Sequence, residues 1–307
     1  MNFKKIRTSI TRIFSFIGLV TCSFVIKFIP ARFLYGFANM VSFLAYRFAR
    51  KQRQVALNGL NVAFGRDKTR AQMERIAKDS FTIIAKSAIE LMFLMDKPYL
   101  VKKRVSIEGR ENLDKALAAG CGVILVSAHF GNFPLLLGRL ALDGYKAAGI
   151  MKPMRDTRIE KLFLKKRDKF GVRTIYSMPR DVCVNSTIQA LRNNEIIFIP
   201  IDQNFGTGGV FVNFFGKKAA TAVGPVVLAQ RTGAQILPCF IIRQPDDTHK
   251  IIFEPVMALE EGASAQGTIL VNIQKLTDII ETYIRRYPAE WGWIHRRWKS
   301  QPNQEEA

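Results

Sequence analysis

The chain has 307 residues, 48% of them hydrophobic, which is enough to bury a sizeable core and excludes disorder as the default. Lys and Arg number 46 against 25 Asp and Glu, so a formal net charge of +21 calls for an acidic partner, either nucleic acid or anionic lipid. The four cysteines, Cys22, Cys121, Cys183 and Cys239, form no CxxC pair and read as small buried hydrophobes, which indicates neither a zinc site nor a disulfide framework and suits a reducing compartment.

The first 70 residues carry 13 Lys or Arg and one acid, Asp67, among long apolar stretches. Nucleic-acid arms are basic but seldom this apolar, and no nucleic-acid reading motif is present, so lipid is the expected partner. Two uncharged runs of 14 residues, IFSFIGLVTCSFVI after Arg12 and FLYGFANMVSFLAY after Arg32, fall short of the roughly 20 residues of a spanning helix. With Lys27 snorkelling, Ile13 to Ile29 can span a thinned bilayer; otherwise both runs lie in the interface as helices with basic flanks. No small-residue cleavage site follows, so the segment is expected to stay as an anchor. Residues 1–49 therefore read as a membrane-anchoring helical segment, 50–300 as the main domain and 301–307 as a polar tail.

Residues 50 to 104 show helical periodicity. Beyond Val105, short apolar runs alternate with helical stretches: strands over 105–109 and 122–128, a helix over 134–144, a strand over 145–151 and a helix over 158–171 ending at Gly171. The same alternation continues through VRTIYS, VNSTIQALRNN, EIIFIPID, GPVVLAQRTG, AQILPCFIIR and HKIIFEPV to a final helix over about 267–286. This pattern predicts an α/β layer fold around a mostly parallel sheet flanked by helices, with sites beyond the carboxyl ends of strands.

His129 follows the apolar run VILVSA and precedes the turn signal Gly131-Asn132, which places it at such a strand end. An imidazole there can take a proton from an attacking hydroxyl, or it can be a capped structural histidine. Gly206, Gly208 and Gly209 match no phosphate-binding motif, so no nucleotide cofactor is inferred. Phe211, Phe214 and Phe215 can line an acyl tunnel or pack a core. His249, beside Asp246-Asp247-Thr248, reads as an exposed hairpin residue, and His295 is not assigned a catalytic role because no acid is near it in sequence.

The His-Phe-Gly-Asn block resembles the lipid A late acyltransferases, a branch of the lysophospholipid acyltransferase superfamily whose signature is His, four residues, then Asp or Glu. RQVALNGLNVAFG (53–65), MKPMRDTRIEKLFLKKRDKFG (151–171), IPIDQNFGTGGVFVNFFGKKAAT (199–221) and WGWIHRRWK (291–299) are similar to further blocks of that family, in the same order. The departure is Pro134, which stands where the family has its acid.

The resemblance implies a lysophospholipid-acyltransferase-like fold. It also implies transfer of a fatty acyl chain from an acyl-carrier-protein or coenzyme A thioester to a hydroxyl of a lipid A precursor, without a metal or other cofactor. The expected setting is the cytoplasmic face of the inner membrane. His129 is the general base in this reading. Its partner is sought in Asp202, with a backbone carbonyl as second choice, while Asp202 can equally cap the turn before Gly206. Oxyanion donors are expected near Gly131 and Asn132 or from a nearby cation. Candidate substrate-binding residues are Asn132, Lys152, Arg167, Gln203, Arg296 and Arg297. Two rivals stand beside this reading: a catalytically weakened or inactive lipid-binding homologue on the same fold, which Pro134 motivates, and a lysophospholipid acyltransferase.

Overall fold

The computed structural model describes residues 3–94 and 97–302. Helices α1 (Phe3–Phe28), α2 (Ala31–Phe48), α3 (Arg50–Phe64), α4 (Arg70–Leu94) and α5 (Pro98–Arg104) precede the first strand. Then follow β1 (Val105–Glu108), α6 (Arg110–Ala118), β2 (Val123–Ser127), α7 (Phe133–Leu142), β3 (Ala147–Met151), α8 (Thr157–Phe170), β4 (Arg173–Tyr176), α9 (Arg180–Arg192) and β5 (Ile196–Pro200). The chain closes with β6 (Val210–Phe214), β7 (Lys217–Thr221), α10 (Gly224–Thr232), β8 (Gln235–Arg243), β9 (His249–Phe253) and α11 (Ala265–Arg286).

Seven strands form one sheet in the order β1-β9-β8-β2-β5-β3-β4, parallel throughout except between β8 and β9. The expected α/β architecture with helices on both faces is therefore present. All five residues of β2 are buried, as a central parallel strand requires, and its near-continuous aliphatic sequence satisfies both faces at once. Ile124, Val126 and Ala128 pack with α3, α9, α10 and α11, whereas Val123 and Leu125 pack with α6, α7 and α8. Helix ends follow local chemistry: the Asp156 carboxylate accepts from the Arg158 N–H at the start of α8, and Gly171 in the left-handed conformation ends it.

The described part of the first segment, residues 3–49, is packed onto the rest. Ile26, Leu34 and Ala38 share a core with Ile89 and Phe93 of α4 and Leu113 of α6, and the Ser42 and Thr82 hydroxyls lie 3.0 Å apart. The outer faces of α1 and α2 remain apolar, with Phe28, Phe43 and Phe48 each at least 70% exposed. Among the described residues, no helix is long and apolar enough to cross a membrane. The polar tail lies outside the described residues from 303 onward.

The antiparallel hairpin β6–β7 is absent from the sequence reading. Phe214 pairs with Lys217, leaving a two-residue turn in which Phe215 (φ +53°) and Gly216 (φ +71°) are both left-handed, the geometry of a type I′ turn. A bulky residue in that position conceals the turn signal. The Phe215 N–H is compensated by the Glu281 carboxylate at 2.5 Å.

Candidate functional site

Strand register assembles the site. In the parallel pair β2–β5, Ser127 lies opposite Pro200, so His129 and Asp202 each stand two residues beyond their strand ends, side by side. The His129 Nδ1 is 2.8 Å from Asp202 Oδ1, and the His129 backbone N–H donates to Asp202 Oδ2 at 3.0 Å. Trp291 Nε1 donates to the same Oδ2 at 2.8 Å. With both carboxylate oxygens occupied by donors, Nδ1 carries the proton, and Nε2 is the ring atom left to accept one.

The electrostatics match this tautomer. Burial pushes the Asp202 carboxyl up, but the charge and hydrogen bond of His129, with His295 and Trp291, outweigh it and hold Asp202 well below the usual carboxylate range. Burial pushes His129 down, and the Asp202 carboxylate overrides it, raising the imidazole above its ordinary value. Asp202 is fully enclosed, whereas the His129 side chain is 31% exposed.

The exposed part of His129 faces a cavity of about 450 Å³ between α7, β3 and α8. Its 18 lining residues include only three ionisable ones, His129, Lys152 and Arg167. Leu135, Leu137, Phe163, Phe170 and Phe198 supply apolar wall. Two glycines keep it open: a Cβ on Gly149 would lie 2.9 Å from Met151 Cε, and one on Gly138 would lie 3.2 Å from the Phe170 ring. Pro134 sits in the first turn of α7, where a missing N–H costs nothing, and its ring is part of this wall. The position of the motif acid is thus an apolar surface here.

The turn 129–132 is clamped by the terminal block. Gly292 N–H donates to the His129 carbonyl at 3.1 Å, Gly131 N–H donates to the Glu290 carbonyl at 2.8 Å, and Phe130 bridges Trp291. Gly131 has φ +56°, and a Cβ there would lie 2.1 Å from the Ile241 carbonyl oxygen, so only glycine fits. His295, passed over in the sequence, contacts the Asp202 carbonyl through Nε2 at 3.3 Å, and its ring centroid is 6.4 Å from that of His129. Its companion acid is 93 residues away, so proximity along the chain carried no signal. The useful signal was the aromatic and cationic composition of 291–299, whose Trp291 and His295 both reach Asp202.

Several expectations are corrected. The Gly131 N–H is engaged and therefore is not a free oxyanion donor. The Asn132 amide points into the protein, donating to Ser87 O at 3.3 Å and Glu90 Oε2 at 3.2 Å, rather than to the cavity. Arg297 is buried and holds the hairpin through Ala220 O and the Thr221 hydroxyl, both at 2.5 Å, and burial lowers its pKa to about 10. Gln203, by contrast, keeps an exposed side chain, and only its backbone carbonyl is engaged, accepting from Arg297 at 3.4 Å. Phe214 and Phe215 pack against Trp298 and Phe64, away from the cavity at His129, because the hairpin turns them into the opposite face of the sheet. His249 is buried: its Nε2 lies 2.7 Å from Glu90 Oε2, in a cluster that also holds Arg243 and Tyr35. The β8–β9 turn, which looked exposed, packs against α4 through the Lys86–Asp247 ion pair at 2.9 Å.

Of the remaining candidates, Lys152 and Arg167 line the cavity with His129. Arg167 is tied to Glu160 at 2.7 Å and to Met151 Sδ at 3.0 Å, while Lys152 is exposed and has no ion pair among the described residues. Arg296 is exposed on the other side of the terminal block.

Residues 1–300 match the model of a family described as "Bacterial lipid A biosynthesis acyltransferase". A lipid A biosynthesis palmitoleoyltransferase of Escherichia coli (strain K12) is 25% identical over 281 residues, 89% of this chain and 87% of that protein. A lipid A biosynthesis lauroyltransferase of the same organism is 23% identical over 279 residues, 89% and 88% of the two chains. A phosphatidylinositol mannoside acyltransferase of Mycobacterium tuberculosis (strain CDC 1551 / Oshkosh) is 27% identical over 195 residues, 62% of this chain and 59% of that protein.

Proposed function

Given that the chain belongs to the bacterial lipid A biosynthesis acyltransferase family and is an acyltransferase, we propose that it moves a fatty acyl chain from an acyl-carrier-protein or coenzyme A thioester to a hydroxyl of a lipid A precursor, with His129 as general base. The observation that carries this reading is the His129–Asp202 pair standing at the wall of an apolar cavity. The cavity takes the acyl chain of the donor, which sets the thioester carbonyl near His129.

Nε2 of His129 removes the proton of the acceptor hydroxyl as its oxygen attacks the thioester carbon. Asp202 stabilises the imidazolium, and the proton then goes to the departing thiolate when the C–S bond breaks. Lys152, just beyond β3, lines the same cavity without an ion pair among the described residues and is the cation available for the oxyanion. In this mechanism Asp202 supplies from the end of β5 what the family's motif supplies from α7, so Pro134 is compatible with catalysis.

The phenylalanines exposed on α1 and α2 support association with a bilayer as interfacial helices, assisted by the basic flanks. Arg158, in the first turn of α8, whose Phe163 and Arg167 line the cavity, stacks on Phe16 of α1 at 4.6 Å, so α1 packs against a helix of the cavity wall. The proposed location is the cytoplasmic face of the inner membrane. Purified protein given acyl-carrier-protein and coenzyme A thioesters with lipid A precursor should form an acylated product that is lost in His129→Ala. Product formation indifferent to His129 would refute this mechanism.

A further inference from the structure

A second cleft, of about 570 Å³, lies between α3 and the terminal block and is lined by Lys51, Lys217, His295, Arg296 and Lys299 among others, with no carboxylate. None of Lys51, Lys217, Arg296 and Lys299 has an acidic partner among the described residues. That contrasts with Arg167, Arg243 and Arg110, each held by a carboxylate. Cations gathered in a concave surface without counter-charges repel one another and create a positive potential that an anion relieves. The cleft is also built closely: Gly59 lets α3 approach the terminal block, since a Cβ there would lie 3.2 Å from the Trp293 ring.

Its position relates it to the reaction. α3 belongs to the face of the sheet that carries α9, α10 and α11, whereas the apolar cavity belongs to the face that carries α6, α7 and α8. The apolar cavity reaches His129 itself, whereas the cleft reaches His295, which contacts the Asp202 carbonyl at 3.3 Å with its ring centroid 6.4 Å from that of His129 and so links the two. We infer that this cleft binds a phosphate group on the headgroup of the acceptor lipid, through Lys51, Lys217, Arg296 and Lys299, and so presents the acceptor hydroxyl to His129.

A phosphate on the acceptor sugar suits the short reach from His295 to His129. The phosphate of a phosphopantetheine donor sits at the far end of a long arm from the thioester, too far to lie beside His295 when the thioester carbonyl is at His129. The assignment rests on the reading of the acceptor as an anionic glycolipid.

The test is equilibrium binding of lipid A precursor in detergent micelles, phosphorylated or phosphatase-treated, to the full chain and to the double variant Lys51→Gln with Arg296→Gln. Both side chains are exposed, so the variant's thermal midpoint should match wild type. The variant should bind the phosphorylated lipid at least about tenfold more weakly. It should bind the phosphatase-treated lipid like wild type, and the advantage of the phosphorylated form should shrink with salt. Binding is read without turnover, so failure of the acyl-transfer mechanism in His129→Ala leaves this result distinct. Equal affinity of wild type and variant for the phosphorylated lipid would overturn the assignment. So would an equal loss of affinity for the phosphatase-treated lipid, since the cations would then not be reading the phosphate.

Discussion

Asp202→Asn isolates the electrostatic part of the site. The Oδ2 position accepts both the His129 N–H and the Trp291 indole N–H, so the amide oxygen of the asparagine must take it. The amide NH₂ then falls where Oδ1 stood, 2.8 Å from Nδ1. Two donors cannot face each other, so Nδ1 becomes the acceptor and the ring proton moves to Nε2, the atom proposed to receive the substrate's proton. In the equivalent change within a serine-protease triad the wrong tautomer lowers turnover by about 10⁴, or about 5 kcal/mol of transition-state stabilisation. The same order of loss is expected here, read as kcat with thioester donor and lipid A precursor in micelles. Two of the three hydrogen bonds survive and the third is reversed, so far-ultraviolet circular dichroism should be unchanged. A loss below about tenfold with an intact fold would show that Asp202 only braces the turn, and would refute the proposed role.

Further outcomes follow from the same geometry. Because the base must be unprotonated and Asp202 raises its pKa, kcat/KM should rise with pH through a value above 6.5, and any residual activity of Asp202→Asn should show that limb displaced toward acid. Pro134→Glu should give no gain in kcat, since Asp202 already occupies Nδ1; a clear gain would show the native pair to be incomplete. Gly149→Val should narrow the cavity between Met151 and Leu137 and favour shorter chains. Excluding two methylenes at about 0.8 kcal/mol each predicts roughly a tenfold change in the ratio of kcat/KM values for donors differing by two carbons. Glu90→Ala leaves the buried Arg243 with Asp247 alone and strips His249, Tyr35 and Asn132 of their shared acceptor, and should cost about 3–5 kcal/mol in urea denaturation. Burial pushes Glu90 up, but His249, Arg243 and Tyr35 outweigh it and hold the carboxyl at about 2. Its contribution should therefore be complete above pH 4.5 and fade as pH falls toward 2.

Local pattern was sufficient for the alternating layers. Short apolar runs such as VILVS and IIFIP, bounded by turn residues and rich in β-branched side chains, match buried parallel strands, and Asp156 and Gly171 mark the ends of α8 without help from the rest of the chain. His129 at a strand end was legible for the same reason, since the period of the strand and the Gly131 turn are encoded within ten residues. Ordered blocks resembling a family extended that reading to the C-terminus, where the family model also matches.

The partners of His129 depend on long-range register. Asp202 is 73 residues away, and it meets Nδ1 because β5 pairs beside β2 with Pro200 opposite Ser127. Trp291 and His295 arrive from a block about 90 residues further on, held by backbone bonds to His129 and Gly131. Burial of His249 on Glu90, the inward turn of Asn132 and the engagement of the Gly131 N–H likewise depend on how α4 and the terminal block pack against the sheet. Sequence thus determined the layers of the main sheet and the placing of His129 at a strand end through short-range periodicity and turn chemistry. Strand pairing and packing decided which carboxylate orients that histidine, which donors remain free, and which cavity faces it, because those contacts join residues that no local pattern connects.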